Sequence, residues 1–318
     1  MNASTDRPPE ITADLVARLI RGQFPQWAKL SVTAVDPGGH DNRSFRLGQG
    51  MLVRLPSAAA YAAAVEREQR WLPVLSPALS QPIPLPIALG LPGCGFPWKW
   101  SVYRWLEGTP ARPERISSLE RFARDLAVFL RSLQAVSPAG GPSPGPDTFH
   151  RGGALAVYDG QLRRAVEILA ARLGRQSRIA IDKRWTRAVE SKPPARPVWV
   201  HGDIAVGNLL VGDGRLCGVI DFGQCCVGDP ACDLAIAWTL FDARTRPIFR
   251  SVTEPDDGLW VRAQAWALWK ALIVAAGLTE SHAWESAQCW STIHGVLGES
   301  EGERQSGVPE GAAQSAPI

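Results

Sequence analysis

The sequence predicts an α+β fold of two unequal lobes, a small β-rich N-terminal lobe and a larger, mainly helical C-terminal lobe. Three observations carry that prediction. Short strand-like runs bounded by glycine crowd the first part of the chain. After Gly108 the apolar residues recur at helical spacing instead. A strand–turn–strand pattern then follows His201-Gly202-Asp203 and ends on a second acidic turn, Asp221-Phe222-Gly223.

In chain order, Leu15, Val16, Leu19 and Ile20 mark a helix over residues 11–20 that Thr12 can cap. Residues 29–35 alternate as a strand and run into Asp36-Pro37-Gly38-Gly39-His40-Asp41-Asn42, a turn by composition. Residues 44–47 and 51–55 form a hairpin around Gly48-Gln49-Gly50. An alanine-rich helix over residues 58–72 carries Glu66 and Glu68 and is ended by Pro73. Pro82, Pro84 and Pro86 keep the next passage extended, and residues 101–106 read as a buried strand. The lobes are divided there, into residues 1–106 and 107–298.

In the second lobe, Leu119, Phe122, Leu126, Phe129, Leu130 and Leu133 define a helix, followed by a Pro/Gly/Ser loop at 137–146. Helices are expected over 155–173 and 183–190, and a strand over 198–200. Residues 209–211 and 217–220 pair around Gly212-Asp213-Gly214, and helices follow over 233–241 and 260–277. Residues 299–318, rich in Gly, Ser, Glu and Pro, read as a disordered tail.

Composition narrows the function. With 318 residues, 45% apolar and 20% charged, the chain can bury a sizeable core. A formal net charge of +3 makes no electrostatic case for nucleic acid or an anionic membrane. No signal-peptide pattern is visible, and the longest apolar stretch, 263–278, is interrupted by Lys270, so no membrane helix is expected. Cys94, Cys217, Cys225, Cys226, Cys232 and Cys289 contain no C-x-x-C pair and read as reduced thiols of a cytoplasmic protein. Trp260, Trp266, Trp269, Trp284 and Trp290 crowd the last helices and are expected in the core.

Asp203 and Asn208 are separated by four residues, with Asp221-Phe222-Gly223 downstream. Phosphoryl transfer needs a group to accept and orient a hydroxyl proton, and hard-cation ligands to neutralise phosphate charge. Asp203, leaving the end of a strand, suits the first task; Asn208 and Asp221 suit magnesium. His201 is expected to hold the loop by hydrogen bonds, and Asp233 to cap the helix that follows.

The strings H-G-D at 201–203 with Asn208, V-I-D-F-G at 219–223, and G-D-P-x-x-D-L-A at 228–235 resemble the aminoglycoside phosphotransferase family, small-molecule kinases with a protein-kinase-like fold. The likeness runs over about residues 31–296. It implies ATP or GTP bound between the lobes with Mg²⁺, Asp203 as catalytic base, and Asn208 and Asp221 as magnesium ligands. It places a nucleotide-covering loop at 36–42, with Gly38, Gly39 and Asn42, although the G-x-G-x-x-G pattern is missing. On the third strand Arg54 stands where such kinases carry a phosphate-binding lysine, paired with Glu68 or Glu66. Tyr103 or Trp105 would stack on the base.

The partner is then a small-molecule hydroxyl substrate, with no nucleic acid and no membrane; oligomeric state is not fixed. A protein-kinase acceptor is disfavoured because Gly228-Asp229-Pro230 follows Asp-Phe-Gly almost at once. Related families act on macrolides, choline, homoserine and other small alcohols. An aminoglycoside would need carboxylates for its ammonium groups, and Asp242, Glu254, Asp256, Asp257, Glu280 and Glu285 are the candidates. A non-catalytic, pseudokinase-like nucleotide-binding module is the alternative that the missing lysine allows.

Overall fold

A computed structural model describes residues 10–36, 41–279 and 283–298. The N-terminal region is a five-stranded antiparallel sheet built from β1 (Val32–Ala34), β2 (Asn42–Leu47), β3 (Met51–Pro56), β4 (Pro86–Gly90) and β5 (Trp100–Arg104). Its strand order is β1-β2-β3-β5-β4. Helix α1 (Ala13–Gln23) starts where Thr12 accepts from the Leu15 N–H, and it buries Leu15, Val16, Leu19 and Ile20. These side chains share one core with Phe45, Leu47, Val53, Leu55, Trp100 and Val102 of the sheet.

Helix α2 (Ala59–Leu75) follows β3, and its Trp71, Leu72 and Leu75 belong to the other, larger core. That packing explains one departure from the sequence reading. Pro73 does not end α2, because burial of Leu72 and Leu75 holds the final turn against the cost of the missing N–H. Strand β4 also forms at the end of the proline-rich passage, because its backbone pairs with β5.

The C-terminal region is mainly helical, with two small sheets: β6 (Thr109–Pro110), β8 (Leu209–Gly212) and β9 (Arg215–Val219) in one, β7 (Val198–Val200) and β10 (Cys226–Gly228) in the other. The helices are α3 (Leu119–Ala135), α4 (Asp159–Ile168), α5 (Ala170–Glu190), α6 (Ala231–Leu234), α7 (Ile236–Thr239), α8 (Arg246–Thr253), α9 (Asp257–Ala275) and α10 (Ala283–Gly298). The single helix expected over 155–173 is instead a 3₁₀ turn, then α4, then the start of α5. Gly174, at φ +70°, breaks the regular path inside α5. Trp260, Trp266 and Trp269 of α9 are buried in the main core, as the sequence suggested. Among the described residues no helix is long and apolar enough to cross a membrane.

Candidate active site

The site forms where β7 and the β8–β9 hairpin meet. Strand β7 is buried and pairs with β10, so His201-Gly202-Asp203 leaves its end on a fixed support. Gly202, at φ +88°, makes the turn; a Cβ there would lie 2.7 Å from the Gln224 carbonyl oxygen. The hairpin pairs Leu209 with Val219, and the Ile220 N–H donates to the Asn208 carbonyl at 2.9 Å. Asn208 and Asp221 therefore flank the same end of the hairpin.

The buried His201 holds this loop in one protonation state. Its Nε2 bonds the Ile220 carbonyl at 3.0 Å, and its Nδ1 accepts from the Asp203 N–H at 3.1 Å. A carbonyl only accepts and a backbone N–H only donates, so the ring is neutral with the proton on Nε2. This fits holding rather than proton transfer. Asn208 Nδ2 donates to the Asp203 carbonyl at 2.9 Å and to Asp203 Oδ2 at 3.0 Å. Both bonds use the Asn208 amide nitrogen, so Oδ1 is the atom of this side chain that could ligate a cation.

Asp233 does something the sequence reading did not foresee. It lies inside α6 and caps nothing; its Oδ2 accepts from the His201 N–H at 2.7 Å and its Oδ1 from the Gly202 N–H at 2.8 Å. Burial raises its pKa, against the lowering effect of the two N–H groups. The G-D-P-x-x-D spacing was the signal available, but the partners lie some thirty residues upstream and only the fold supplies them. Asp229, in the same string, accepts from Arg262 Nε at 2.6 Å.

Arg54 lies between two carboxylates, 3.3 Å from Glu68 and 2.8 Å from Asp221. Glu66, the other candidate partner, faces outward and pairs with Lys99. Burial works against the Arg54 charge, but Asp221 and Glu68 outweigh it and hold its pKa above the ordinary arginine value. For Glu68 burial dominates over Arg54 and the pKa is raised; for Asp221, where burial also opposes the charge, the closer guanidinium prevails and the pKa is lowered. One cation thus serves two carboxylates, leaving the cluster short of positive charge. Asp221 itself adopts φ +68°, a conformation uncommon outside glycine, though Asp tolerates it better than most residues.

Tyr103 is 1% exposed and its hydroxyl donates to Glu68, so its ring is packed beneath this cluster. Trp105 is half-buried, with the Arg46 guanidinium 4.3 Å above its ring. Asn42 reaches a narrow cleft that it shares with Asp41, Tyr61, Phe149, Asp221 and Gln224. Gly38 and Gly39 lie outside the described residues, as do Glu280 and the 299–318 tail. Asp147, which also borders this cleft, and Arg67, which bonds to it, were missed by sequence reasoning; an arginine beside Glu68 in the helix was the one hint.

No group of three or more His, Cys, Asp or Glu side chains suited to a metal occurs among the described residues. Asn208 and Asp221 fit a magnesium ion that completes its shell with phosphate oxygens and water, since Mg²⁺ commonly takes only one or two protein carboxylates. The other acidic candidates among the described residues are engaged. Asp242 accepts from the Thr245 and Arg244 N–H groups at 2.8 and 3.0 Å, and Asp256 caps α9 through the Leu259 N–H at 2.6 Å. Glu254 pairs with Arg131, Asp257 with Arg250 and Glu285 with Lys270.

Comparison with known proteins identifies the family and the fold. A model of the phosphotransferase enzyme family matches residues 32–272. An aminoglycoside 3'-phosphotransferase of Escherichia coli is 30% identical over 121 residues, 37% of this chain and 43% of that one. The matched stretch therefore spans less than half of that curated relative. The GDP complex of wild-type aminoglycoside 2'-phosphotransferase-IIIa superposes with a TM-score of 0.68 at 19% identity, covering 91% of this chain and 99% of that one. The apoenzyme of macrolide 2'-phosphotransferase MphH from Brachybacterium faecium gives 0.56 at 20% identity, covering 88% and 97%. These likenesses establish the protein-kinase-like α+β fold, and by the family match the chain belongs to the phosphotransferase enzyme family.

Proposed function

We propose that the protein transfers the γ-phosphoryl group of ATP or GTP to a hydroxyl of a small molecule, with Mg²⁺. The observation that supports this reading is a chain of contacts: Asn208 bonds Asp203, the Ile220 N–H beside Asp221 bonds the Asn208 carbonyl, and Arg54 pairs with Asp221. Asp203 accepts the proton of the acceptor hydroxyl and orients its oxygen toward the γ-phosphorus. A new P–O bond forms there as the bond to the β-phosphate oxygen breaks, and the nucleoside diphosphate leaves. Asn208 and Asp221 hold Mg²⁺, which when bound neutralises charge on the phosphate oxygens. Arg54, in place of lysine, offers a forked donor that can contact phosphate and Asp221 together. Rate enhancement comes from alignment and fixed charge, since His201 and Asp233 hold the loop before substrate binds.

In this reading the base rests against Trp105, and Tyr103 serves by steadying Glu68. Gly38, Gly39 and Asn42 belong to the nucleotide-covering loop. An aminoglycoside is the first acceptor class to test, because a relative of this fold has been solved as a complex with GDP and kanamycin. A macrolide, or an amino alcohol of the choline or homoserine type, is the other acceptor class to test. The Arg54–Asp221 contact favours the second reading, a non-catalytic nucleotide-binding module, if that arginine does not yield to metal-bound nucleotide.

The test is Mg²⁺-dependent ATP and GTP consumption against aminoglycosides, macrolides, choline-like amines and sugar alcohols, with Asp203→Asn as control. Stimulation by one class, lost in the control, is the expected result. Nucleotide binding without turnover for any acceptor would move the assignment to the non-catalytic module.

A further inference from the structure

Helix α2 lies in the N-terminal region by sequence, yet one stripe of it is docked on the C-terminal region. Tyr61, Ala64, Arg67 and Trp71 succeed one another at three- and four-residue spacings and so lie on one side of the helix. Tyr61 meets the Phe149 ring at a centroid distance of 5.9 Å, and Trp71 meets Trp199, just before His201, at 4.9 Å. Ala64 abuts Gly223, where a Cβ would stand 3.3 Å from the Ala64 Cβ. Near the centre of the stripe is Arg67, whose side chain is only 5% exposed.

The Arg67 guanidinium forks. Nη1 donates to the Gly223 carbonyl, and Nη2 donates to the Asp147 carboxylate and, at 3.3 Å, to the Asp147 carbonyl. Gly223 closes the Asp221-Phe222-Gly223 turn, and the next residue of α2, Glu68, holds Arg54 against Asp221. We infer that Arg67 is a positioning residue: it latches α2 to the metal-binding turn and sets the Glu68–Arg54 pair at Asp221 before nucleotide arrives. The inference rests on the proposed magnesium–nucleotide site.

Two physical features support it. Removing the buried guanidinium takes away the donor to the Gly223 carbonyl, whereas Asp147, with a 52% exposed side chain, can turn to water. The turn it grips contains a non-glycine residue at positive φ, so it needs outside support to keep its shape. Lysine, a single-point donor, cannot reproduce the fork.

The experiment uses the whole purified chain and two readouts, hydrogen exchange at residues 221–225 without nucleotide and calorimetric affinity for Mg·ATP. Arg67→Met is expected to raise exchange at that turn by about tenfold while leaving the β2–β3 hairpin unchanged, and to weaken Mg·ATP by about tenfold. Arg67→Lys should fall between, and Asp147→Asn, which keeps the Gly223 bond, should change both by less than about threefold. Unaltered exchange at 221–225, or an equal rise throughout the chain, overturns the latch. If the methionine variant does not fold, the lysine variant is judged by the same criterion. If the wild-type chain binds no Mg·ATP, the functional reading falls, while hydrogen exchange still decides the latch.

Discussion

Replacing Arg54 with methionine keeps the side-chain stem and removes the one cation shared by Glu68 and Asp221. The Glu68 side chain is 5% exposed and that of Asp221 32%, so one abandoned carboxylate is dry and the other half-wet. Breaking a buried pair by removing one partner costs about 3–5 kcal/mol. Partial rehydration of Asp221 puts the expected cost at the lower end, about 3 kcal/mol. For a chain of 318 residues, at about 2.1 cal/mol/K of unfolding entropy per residue, that lowers the melting temperature by about 4–5 °C. Arg54→Lys can satisfy one carboxylate but not both, and loses about 1.5–3 kcal/mol. Because Mg²⁺ would return positive charge to Asp221, it should raise the melting temperature of Arg54→Met more than that of the wild type. The assay is thermal unfolding with and without Mg²⁺. A methionine variant that melts with the wild type, or that gains no more than it from Mg²⁺, would refute the shared-cation argument.

Three further outcomes are expected. Asp233→Asn keeps one acceptor for the His201 and Gly202 N–H groups and points an amide donor at the other; kcat should fall by about tenfold or more, and an unchanged kcat would show that the loop does not depend on Asp233. Tyr103→Phe deletes the donor to Glu68 and should cost about 1–2 kcal/mol in thermal unfolding, whereas equal stability would mean that the hydroxyl holds nothing. Burial pushes the Cys226 thiol up to about 12 from 9.0, and raises Cys225 and Cys232 in the same direction. The unfolded chain then gives up these protons first, so stability should fall as pH rises above about 9. Unfolding free energy that stays flat from neutral pH into that range would contradict it.

What the sequence disclosed was mostly local. Leu15, Val16, Leu19 and Ile20 form an amphipathic stripe that requires no knowledge of the rest of the chain, and α1 appears where the stripe lies. Asp203, Asn208 and Asp221 were legible because their geometry is set by one short loop and one hairpin. Asp233 and Arg67 act through partners far away in sequence, the His201 and Gly202 N–H groups and the Gly223 carbonyl, and nothing in their local spacing names those partners. Tyr103 was ambiguous for a related reason: a strand residue's facing depends on what covers the sheet, and here Glu68 of α2 meets its hydroxyl. The Pro73 helix stop failed because core burial outweighed a local rule.

The most direct test of the central claim is mass analysis of the acceptor after incubation with wild-type protein, nucleotide and Mg²⁺, alongside Asp203→Asn. The account predicts that one acceptor class gains the mass of a single phosphoryl group with wild-type protein and that the variant leaves it unmodified. Equal phosphorylation by the Asp203→Asn variant would contradict the account at its centre.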